Sequence, residues 1–121
     1  MKTVIVATED ARISRTFKHV FQDRRLSGVV ESMGIKTLLK LIDHDVDAFF
    51  LDLTFSRYAD LDTLAVIRKI KPRMPVVVLS MDLPTDVIRC LLENGIRCLL
   101  KPVREEELKD VFRCLERKLG Q

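Results

Sequence analysis

The sequence predicts an α/β fold in which parallel strands alternate with helices, and three observations support this fold class. Five short runs rich in large apolar or β-branched residues are spread along the 121 residues. Segments whose apolar residues recur with helical period lie between these runs. Several runs are apolar without interruption, which is typical of strands that are covered on both faces of a parallel sheet. Right-handed βαβ crossovers are therefore expected to join the strands.

Each predicted strand corresponds to one apolar run of three to five residues. In chain order the runs are Val4–Ala7, Gly28–Val30, Ala48–Leu51, Val76–Leu79 and Ile96–Leu100. In open parallel sheets, binding sites form at the carboxyl ends of the strands. Functional residues are therefore expected directly after these five runs.

The predicted helices are identified by apolar residues spaced three or four positions apart, which lie on one face of a helix. In chain order the five stripes are Ile13, Phe17, Val20 and Phe21; Ile35, Leu38, Leu39 and Ile42; Leu64, Ile67 and Ile70; Ile88, Leu91 and Leu92; and Leu108, Val111, Phe112, Leu115 and Leu119. Gly34 and Pro84 mark the starts of the second and fourth helices. Gly95 marks the end of the fourth helix, where a left-handed residue is common.

Length and composition favour one globular domain over residues 1–121. Hydrophobic residues make up 47% and charged residues 32% of the chain, which excludes a disordered polymer. No apolar stretch approaches the ~20 residues of a membrane span, and the first residues do not resemble a signal peptide. The three cysteines, Cys90, Cys98 and Cys114, lack metal-site spacing and are interpreted as reduced core residues. These features predict a cytoplasmic protein.

The charge balance does not favour nucleic-acid binding. The chain has 21 basic and 18 acidic residues, a net charge of only +3, whereas nucleic-acid binders usually concentrate a larger excess on one face. The one basic cluster lies on the predicted first helix and is interpreted as a solvated face; it consists of Arg12, Arg15, Lys18, Arg24 and Arg25.

Polar side chains follow four of the predicted strands, where a site is expected. They are Thr8, Glu9 and Asp10 after the first strand, Asp52 and Thr54 after the third, Ser80 at the end of the fourth and Lys101 after the fifth. Carboxylates gathered at one edge of a sheet need a cation or a lysine to offset their charge. Magnesium fits, because it binds carboxylate oxygens, water and phosphate. Each acid alone has another reading, since Asp52 could cap a turn and Glu9 or Asp10 could stabilise the first turn of a helix.

At these residues and spacings the chain resembles the receiver domains of two-component response regulators. The matching segments include Glu9-Asp10 after the first strand, Asp52 after Phe49-Phe50-Leu51, Met74–Ser80, and Gly95 through Lys101-Pro102-Val103. The resemblance covers the whole chain. It implies a single-domain, flavodoxin-like (βα)5 sandwich with strand order 2-1-3-4-5 and helices on both faces of the sheet.

The resemblance also implies a role for each residue of the site. Asp52 would accept a phosphoryl group from a histidine kinase or a phosphotransfer protein, and would lie exposed in a shallow acidic cleft. Glu9, Asp52 and the backbone carbonyl of Thr54 would hold Mg2+, with Asp10 as a further candidate. Ser80 would hydrogen-bond a phosphoryl oxygen, and Lys101, joined to Pro102 by a cis peptide bond, would pair with the phosphate or with Asp52.

The implied protein is a phosphorelay response regulator that assists its own phosphorylation and dephosphorylation and is not otherwise an enzyme. It would switch a surface for a downstream protein target or for a homodimer, formed by the fourth helix, the fifth strand and the fifth helix. No membrane or direct nucleic-acid partner is expected for this domain.

The sequence departs from the family pattern at four places. Thr8 stands where an acidic residue is usual, Ser56 where a proline is usual, and Cys98 where the fifth strand usually has an aromatic residue; the loop after Asp52 is also longer than usual. These departures leave open a degenerate receiver that binds proteins without phosphorylation. A flavin or nucleotide binder is disfavoured, because the turn after the first strand has no glycine to cradle a phosphate.

Overall fold

The computed structural model describes residues 3–24, 26–31, 39–41, 45–53 and 59–119. Its elements, in chain order, are β1 (Thr3–Ala7), α1 (Ala11–Arg24), β2 (Ser27–Glu31), a helical segment α2 at residues 39–41, β3 (Ala48–Asp52), α3 (Ala59–Ile70), β4 (Val76–Ser80), α4 (Thr85–Glu93), β5 (Ile96–Leu100) and α5 (Glu105–Leu119). The alternation predicted from the sequence is confirmed, with strand ends that differ by at most one residue. Of the residues named for the second helix, Gly34, Ile35, Leu38 and Ile42 lie outside the described residues.

The five strands form one parallel sheet in the order β2-β1-β3-β4-β5. This is the order that the resemblance implied, so the fold-class prediction is confirmed. Chain order reverses on either side of β1, because β1 pairs with β2 on one side and with β3 on the other. The carboxyl ends of β1 and β3 are therefore adjacent at the point where such sheets form their sites.

The sheet separates two hydrophobic cores, because successive side chains of a strand point to opposite faces. Val4, Val6 and Phe50 pack with residues of α1 and α5 on one face. Ile5 and Phe49 face α3 and α4 on the other. All five residues of β3 are buried. The central strand therefore runs through the interior and ends at Asp52.

Aromatic rings fill the core between the sheet and the helices α1 and α5. The ring of Phe50 lies 5.0 Å from that of Phe17 and 5.3 Å from that of Phe112, measured between centroids. Phe17 and Phe21 belong to the predicted stripe of α1, and all four members of that stripe are buried. Tilted and edge-on rings at these distances pack favourably.

Some residues predicted to be in the core are exposed instead. Ile70 and Leu92 keep 46% and 59% of their surface accessible. Leu92 directly follows the buried Leu91, and one residue turns a helix by about 100°, so α4 directs Leu92 away from the sheet. Cys90 and Cys114 are also exposed, on the outward faces of α4 and α5. The prediction of buried cysteines is correct only in part, since Cys98 alone is half-buried.

The basic residues of α1 divide into two groups. Arg12, Arg15 and Lys18 are exposed, as predicted for a solvated face, whereas Arg24 pairs with Glu116 of α5. Two further pairs join the same helices: Asp23 with Lys109 at 3.4 Å, and His19 with Glu105 at 3.9 Å. Polar and charged side chains therefore line the contact between the first helix and the last. Arg25 lies outside the described residues.

None of the helices in the described part of the chain is long and apolar enough to cross a membrane.

Gly28 makes room for an aromatic ring of the core. A Cβ atom at this position would overlap the ring of Phe21. We expect Gly28→Ala to lower the free energy of unfolding by about 1–3 kcal/mol, the usual effect of overpacking, as measured by urea denaturation. Ser27→Ala, at the exposed neighbouring position of β2, is the matched control and should change stability by less than about 0.5 kcal/mol. Equal stability of the two variants would contradict the expectation.

Candidate functional site

The strand ends bring four of the predicted polar side chains to one edge of the sheet. Asp52 is the last residue of β3 and Ser80 the last of β4, while Thr8 and Lys101 directly follow β1 and β5. Ala7 lies opposite Leu51 in the register of β1 and β3. The next residues in line, Thr8 and Asp52, are therefore neighbours.

Lys101 forms an ion pair with Asp52, between its Nζ atom and the Oδ1 atom of the carboxylate. The same ammonium lies 3.5 Å from the backbone carbonyl oxygen of Leu53. Only 2% of the Asp52 side chain and 16% of the Lys101 side chain are accessible. The Lys101-Pro102 peptide bond is cis, as expected from the resemblance. A buried carboxylate is tolerated when an opposite charge and hydrogen bonds compensate for lost hydration.

Thr8 contacts the other oxygen of the same carboxylate. Its hydroxyl donates a hydrogen bond of 2.6 Å to Oδ2 of Asp52, a short distance typical of a bond to a charged acceptor. Thr8 was predicted to lie at this edge and to replace a usual acid, but its hydrogen bond to Asp52 was not predicted. The signal was available in the predicted alignment of the first and third strands, which places the two residues side by side.

The expected exposure of Asp52 is wrong, because the residue is buried, with 8% of its surface accessible. Its position at the end of an interior strand explains part of the difference. The side chains of Thr8 and Lys101, which occupy its two oxygens, explain the rest. A reactant that reaches Asp52 must therefore displace or pass these neighbours.

The two acids after β1 have different environments. Asp10 caps α1, because its Oδ1 accepts a 2.8 Å hydrogen bond from the backbone N–H of Arg12, and its carbonyl accepts one of 3.0 Å from Ser14. Helix capping was one of the two roles that the sequence allowed for Glu9 or Asp10, and Asp10 has that role. Glu9 is exposed at the same turn. Thr54 and Ser56 lie outside the described residues.

The donor chemistry of this edge fits a magnesium ion, although it is not rich in acids. Two carboxylates, those of Glu9 and Asp52, lie at the carboxyl ends of adjacent strands, and Mg2+ is commonly held by one or two carboxylates together with water. Over the ranges that the structure describes, no three His, Cys, Asp or Glu side chains cluster tightly enough to form a metal site by themselves. A cation that bound Asp52 would compete there with Lys101 and Thr8.

Backbone hydrogen bonds fix the strand ends that carry the site. The N–H of Leu53 donates to the carbonyl of Leu79 at 2.8 Å, and the N–H of Lys101 donates to the carbonyl of Ser80 at 2.8 Å. Ser80 itself is buried, with 5% of its surface accessible. The positions of these strand ends are therefore set by the backbone hydrogen bonds of the sheet.

Ser80 and Cys98 belong to the opposite face of the sheet from Asp52. In β4, Val76 and Val78 face α3 and α4, so alternation places Ser80 on that side. Cys98 packs against the same core, and partial burial raises the pKa of its thiol above the usual value. The thiol is therefore protonated at neutral pH and fills less space than an aromatic ring would.

The chain matches the family model of the response regulator receiver domain over residues 4–113. No protein of curated function matches it.

Several solved structures share its fold. A receiver domain protein (CheY-like) from Methanospirillum hungatei JF-1 has a TM-score of 0.83 at 15% identity, over 99% of this chain and 98% of that one. A response regulator from Thermotoga maritima has a TM-score of 0.83 at 22% identity, over 95% of this chain and 97% of that one. The receiver domain of the Francisella response regulator 1452 has a TM-score of 0.82 at 23% identity, over 98% of this chain and 99% of that one. At these identities the likeness concerns the fold.

The pairing of Asp52 with Lys101 has a consequence for stability. We expect Lys101→Met to lower the free energy of unfolding by about 3 kcal/mol, because it leaves a buried carboxylate without its counter-charge. The double variant Lys101→Met with Asp52→Asn should recover more than half of that loss, since no buried charge then remains unpaired. Urea denaturation of wild type, both single variants and the double variant forms a complete cycle. Additive effects of the two substitutions would show that the ion pair does not contribute.

Proposed function

The chain belongs to the response regulator receiver domain family, and from this premise we propose that Asp52 accepts a phosphoryl group from a histidine kinase or a phosphotransfer protein. Members of the family are phosphoacceptor modules of two-component signalling, so the chain is a signalling receiver and not an enzyme that turns over an external substrate. The proposed receiver domain spans residues 1–121. The cytoplasm, where phosphodonor proteins meet their receivers, is its proposed location.

The ion pair between Asp52 and Lys101 is the observation that carries the proposal. In the transfer step an oxygen of Asp52 forms a bond to phosphorus, while the bond from phosphorus to the donor's histidine nitrogen breaks and leaves its electron pair on that nitrogen. Phosphoryl transfer depends chiefly on positioning and on neutralising the charge of the phosphoryl oxygens. Lys101 supplies a positive charge beside the accepting carboxylate. Ser80 ends the strand next to that of Asp52, so its hydroxyl would donate to a phosphoryl oxygen that extends over the carboxyl edge of the sheet.

Magnesium is the proposed cofactor. Glu9 and Asp52 would hold it through their carboxylates, with the backbone carbonyl of Thr54 as a further ligand. Asp10 is the weaker candidate, because its Oδ1 already caps α1. The ion would add positive charge next to the phosphoryl oxygens. Because Thr8 is not an acid, we expect this site to bind the cation more weakly than a site with one more carboxylate.

The proposed output surface consists of α4, β5 and α5. Leu92 of α4 and Leu100 of β5 are 59% and 62% exposed there, so a downstream protein or a second copy of the chain could bury apolar surface on this side. Cys98 lies beneath this surface in β5. Because a thiol is smaller than an aromatic ring, a movement of Cys98 would change the packing beneath this surface less than a movement of an aromatic side chain would.

A second function is favoured by one specific observation. Asp52 has both carboxylate oxygens occupied, and its side chain is only 2% accessible. A receiver in this state could bind its partner without being phosphorylated. The two functions differ in whether Asp52 reacts at all, which makes them separable by mass measurement.

We expect the protein to gain one phosphoryl group, ~80 Da and nearly two negative charges at neutral pH, when it is incubated with acetyl phosphate and Mg2+. Intact-mass measurement over time gives the rate. Asp52→Asn should gain nothing, and Ser80→Ala should react more slowly. Asp110→Asn, on the exposed side of α5, is the matched control and should behave as wild type. A gain of equal size and rate in Asp52→Asn would refute the assignment, and no gain in wild type would favour the phosphorylation-independent function.

The role of Thr8 in cation binding can be tested by adding the missing charge. We expect Thr8→Asp to tighten Mg2+ binding about tenfold, because one further negative charge near the cation contributes ~1–4 kcal/mol of attraction in a wet to half-buried site. Thr8→Asn has nearly the same shape without the charge and is the control. Titration of the amide resonances of Glu9 and Leu53 reports the affinity. If the two variants bind Mg2+ equally, charge at residue 8 does not reach the cation.

A further inference from the structure

The hydroxyl of Thr8 has a fixed direction. Its Oγ1 accepts a 3.0 Å hydrogen bond from the backbone N–H of Asp10 and lies 2.6 Å from Oδ2 of Asp52. An ionised carboxylate can only accept, so the hydroxyl proton points to Asp52. The threonine thus relays a hydrogen bond from the first turn of α1 to the carboxylate.

The start of this relay is held in place by the end of a helix. Asp10 caps α1 through both its side chain and its carbonyl, which accept hydrogen bonds from Arg12 and Ser14. The backbone N–H of Asp10 therefore cannot turn away from Thr8 without disturbing the first turn of a 14-residue helix. The positive end of the helix dipole also lies at this point, which favours a negative acceptor at the end of the relay.

The relay acts on the oxygen of Asp52 that Lys101 does not hold. Lys101 pairs with Oδ1 and Thr8 donates to Oδ2, so both oxygens have a partner and the side chain is almost fully covered. Lys101 must remain nearby to neutralise the incoming phosphoryl group. Oδ2 is then the oxygen available to attack phosphorus, and the hydrogen bond from Thr8 occupies one of its two lone-pair directions and lowers its nucleophilicity.

We propose that Thr8 is a positioning residue that holds Asp52 in a closed state, and that release of its hydrogen bond limits the rate at which Asp52 reacts. This inference rests on the proposed function, because it concerns the residue that would accept the phosphoryl group. Thr8 stands where an acidic residue would bind a cation, and its hydrogen bond to Asp52 would instead regulate the reactivity of that carboxylate. A partner or cation that draws Thr8 or the start of α1 away from Asp52 therefore opens the site.

The first test measures the reactivity of Asp52 without any phosphodonor. A water-soluble carbodiimide with glycine ethyl ester converts accessible carboxylates to amides, and peptide mass spectrometry gives the rate at Asp52; an amide formed with Lys101 counts equally. Thr8→Val removes the hydroxyl and keeps the shape, and it should raise the rate at Asp52 about tenfold, the factor expected for one hydrogen bond to a charged group. Thr8→Ser, which keeps the hydroxyl, should restore a rate near that of wild type.

Two controls separate this role from a loss of structure. Thr16→Val makes the same substitution on α1, where the hydroxyl donates a 2.9 Å hydrogen bond to the carbonyl of Arg12, and it should leave the rate at Asp52 unchanged. The exposed carboxylate of Glu9 should react equally in all variants. If Thr8→Val unfolds, as judged by thermal denaturation, Thr8→Ala provides a second variant that lacks the hydroxyl.

The second test uses the transfer step itself. With acetyl phosphate, an oxygen of Asp52 bonds to phosphorus while the bond from phosphorus to the acetate oxygen breaks and acetate leaves with the electron pair. Thr8→Val should gain the phosphoryl mass about tenfold faster than wild type. If no variant gains mass, the proposed function fails, yet the carbodiimide rates still decide the role of Thr8. Equal carbodiimide rates in wild type, Thr8→Val and Thr8→Ser overturn the inference.

Discussion

The site depends on one constraint, which is that a negative charge is buried at the end of the central strand. Water cannot solvate the carboxylate of Asp52, so the protein must supply its partners. Lys101 provides charge and Thr8 provides a hydrogen bond. Both come from strand ends whose positions are set by the backbone ladder of the sheet. The order of the strands therefore determines which residues can reach the carboxylate.

Much of the fold could be predicted because it follows from short-range patterns. The uninterrupted apolar run Val76-Val77-Val78-Leu79 indicated a strand buried on both faces, and all of β4 is buried. Pro84 and Gly95 marked the ends of α4, and Gly95 has the positive φ of 73° that favours glycine at such a position. The failures were at residues such as Leu92, where helical spacing alone does not show how far a helix is rotated over the sheet.

The candidate site was predictable as a set of residues but not as a set of contacts. Residues after strand ends converge in any parallel sheet, so the proximity of Asp52 and Lys101 followed from topology. Whether Asp52 lay open or covered depended on the reach of neighbouring side chains, which the sequence does not contain. Asp10 shows the same limit, since an acid after β1 can cap a helix or face a cation. The hydrogen bond from the backbone N–H of Arg12 shows that Asp10 caps the helix in this structure.

The alternation of side chains across the sheet has a consequence for how the domain transmits information. By alternation along the strands, Thr8, Asp52 and Lys101 fall on the side of the sheet that packs on α1 and α5, whereas Ser80 and Cys98 fall on the side covered by α3 and α4. Between these two sides lies the hydrogen-bonded backbone of the sheet, with a close-packed apolar core on each face. The shortest path from Asp52 to Ser80 therefore runs over the carboxyl edge of the sheet, where both residues end their strands, and not through either core.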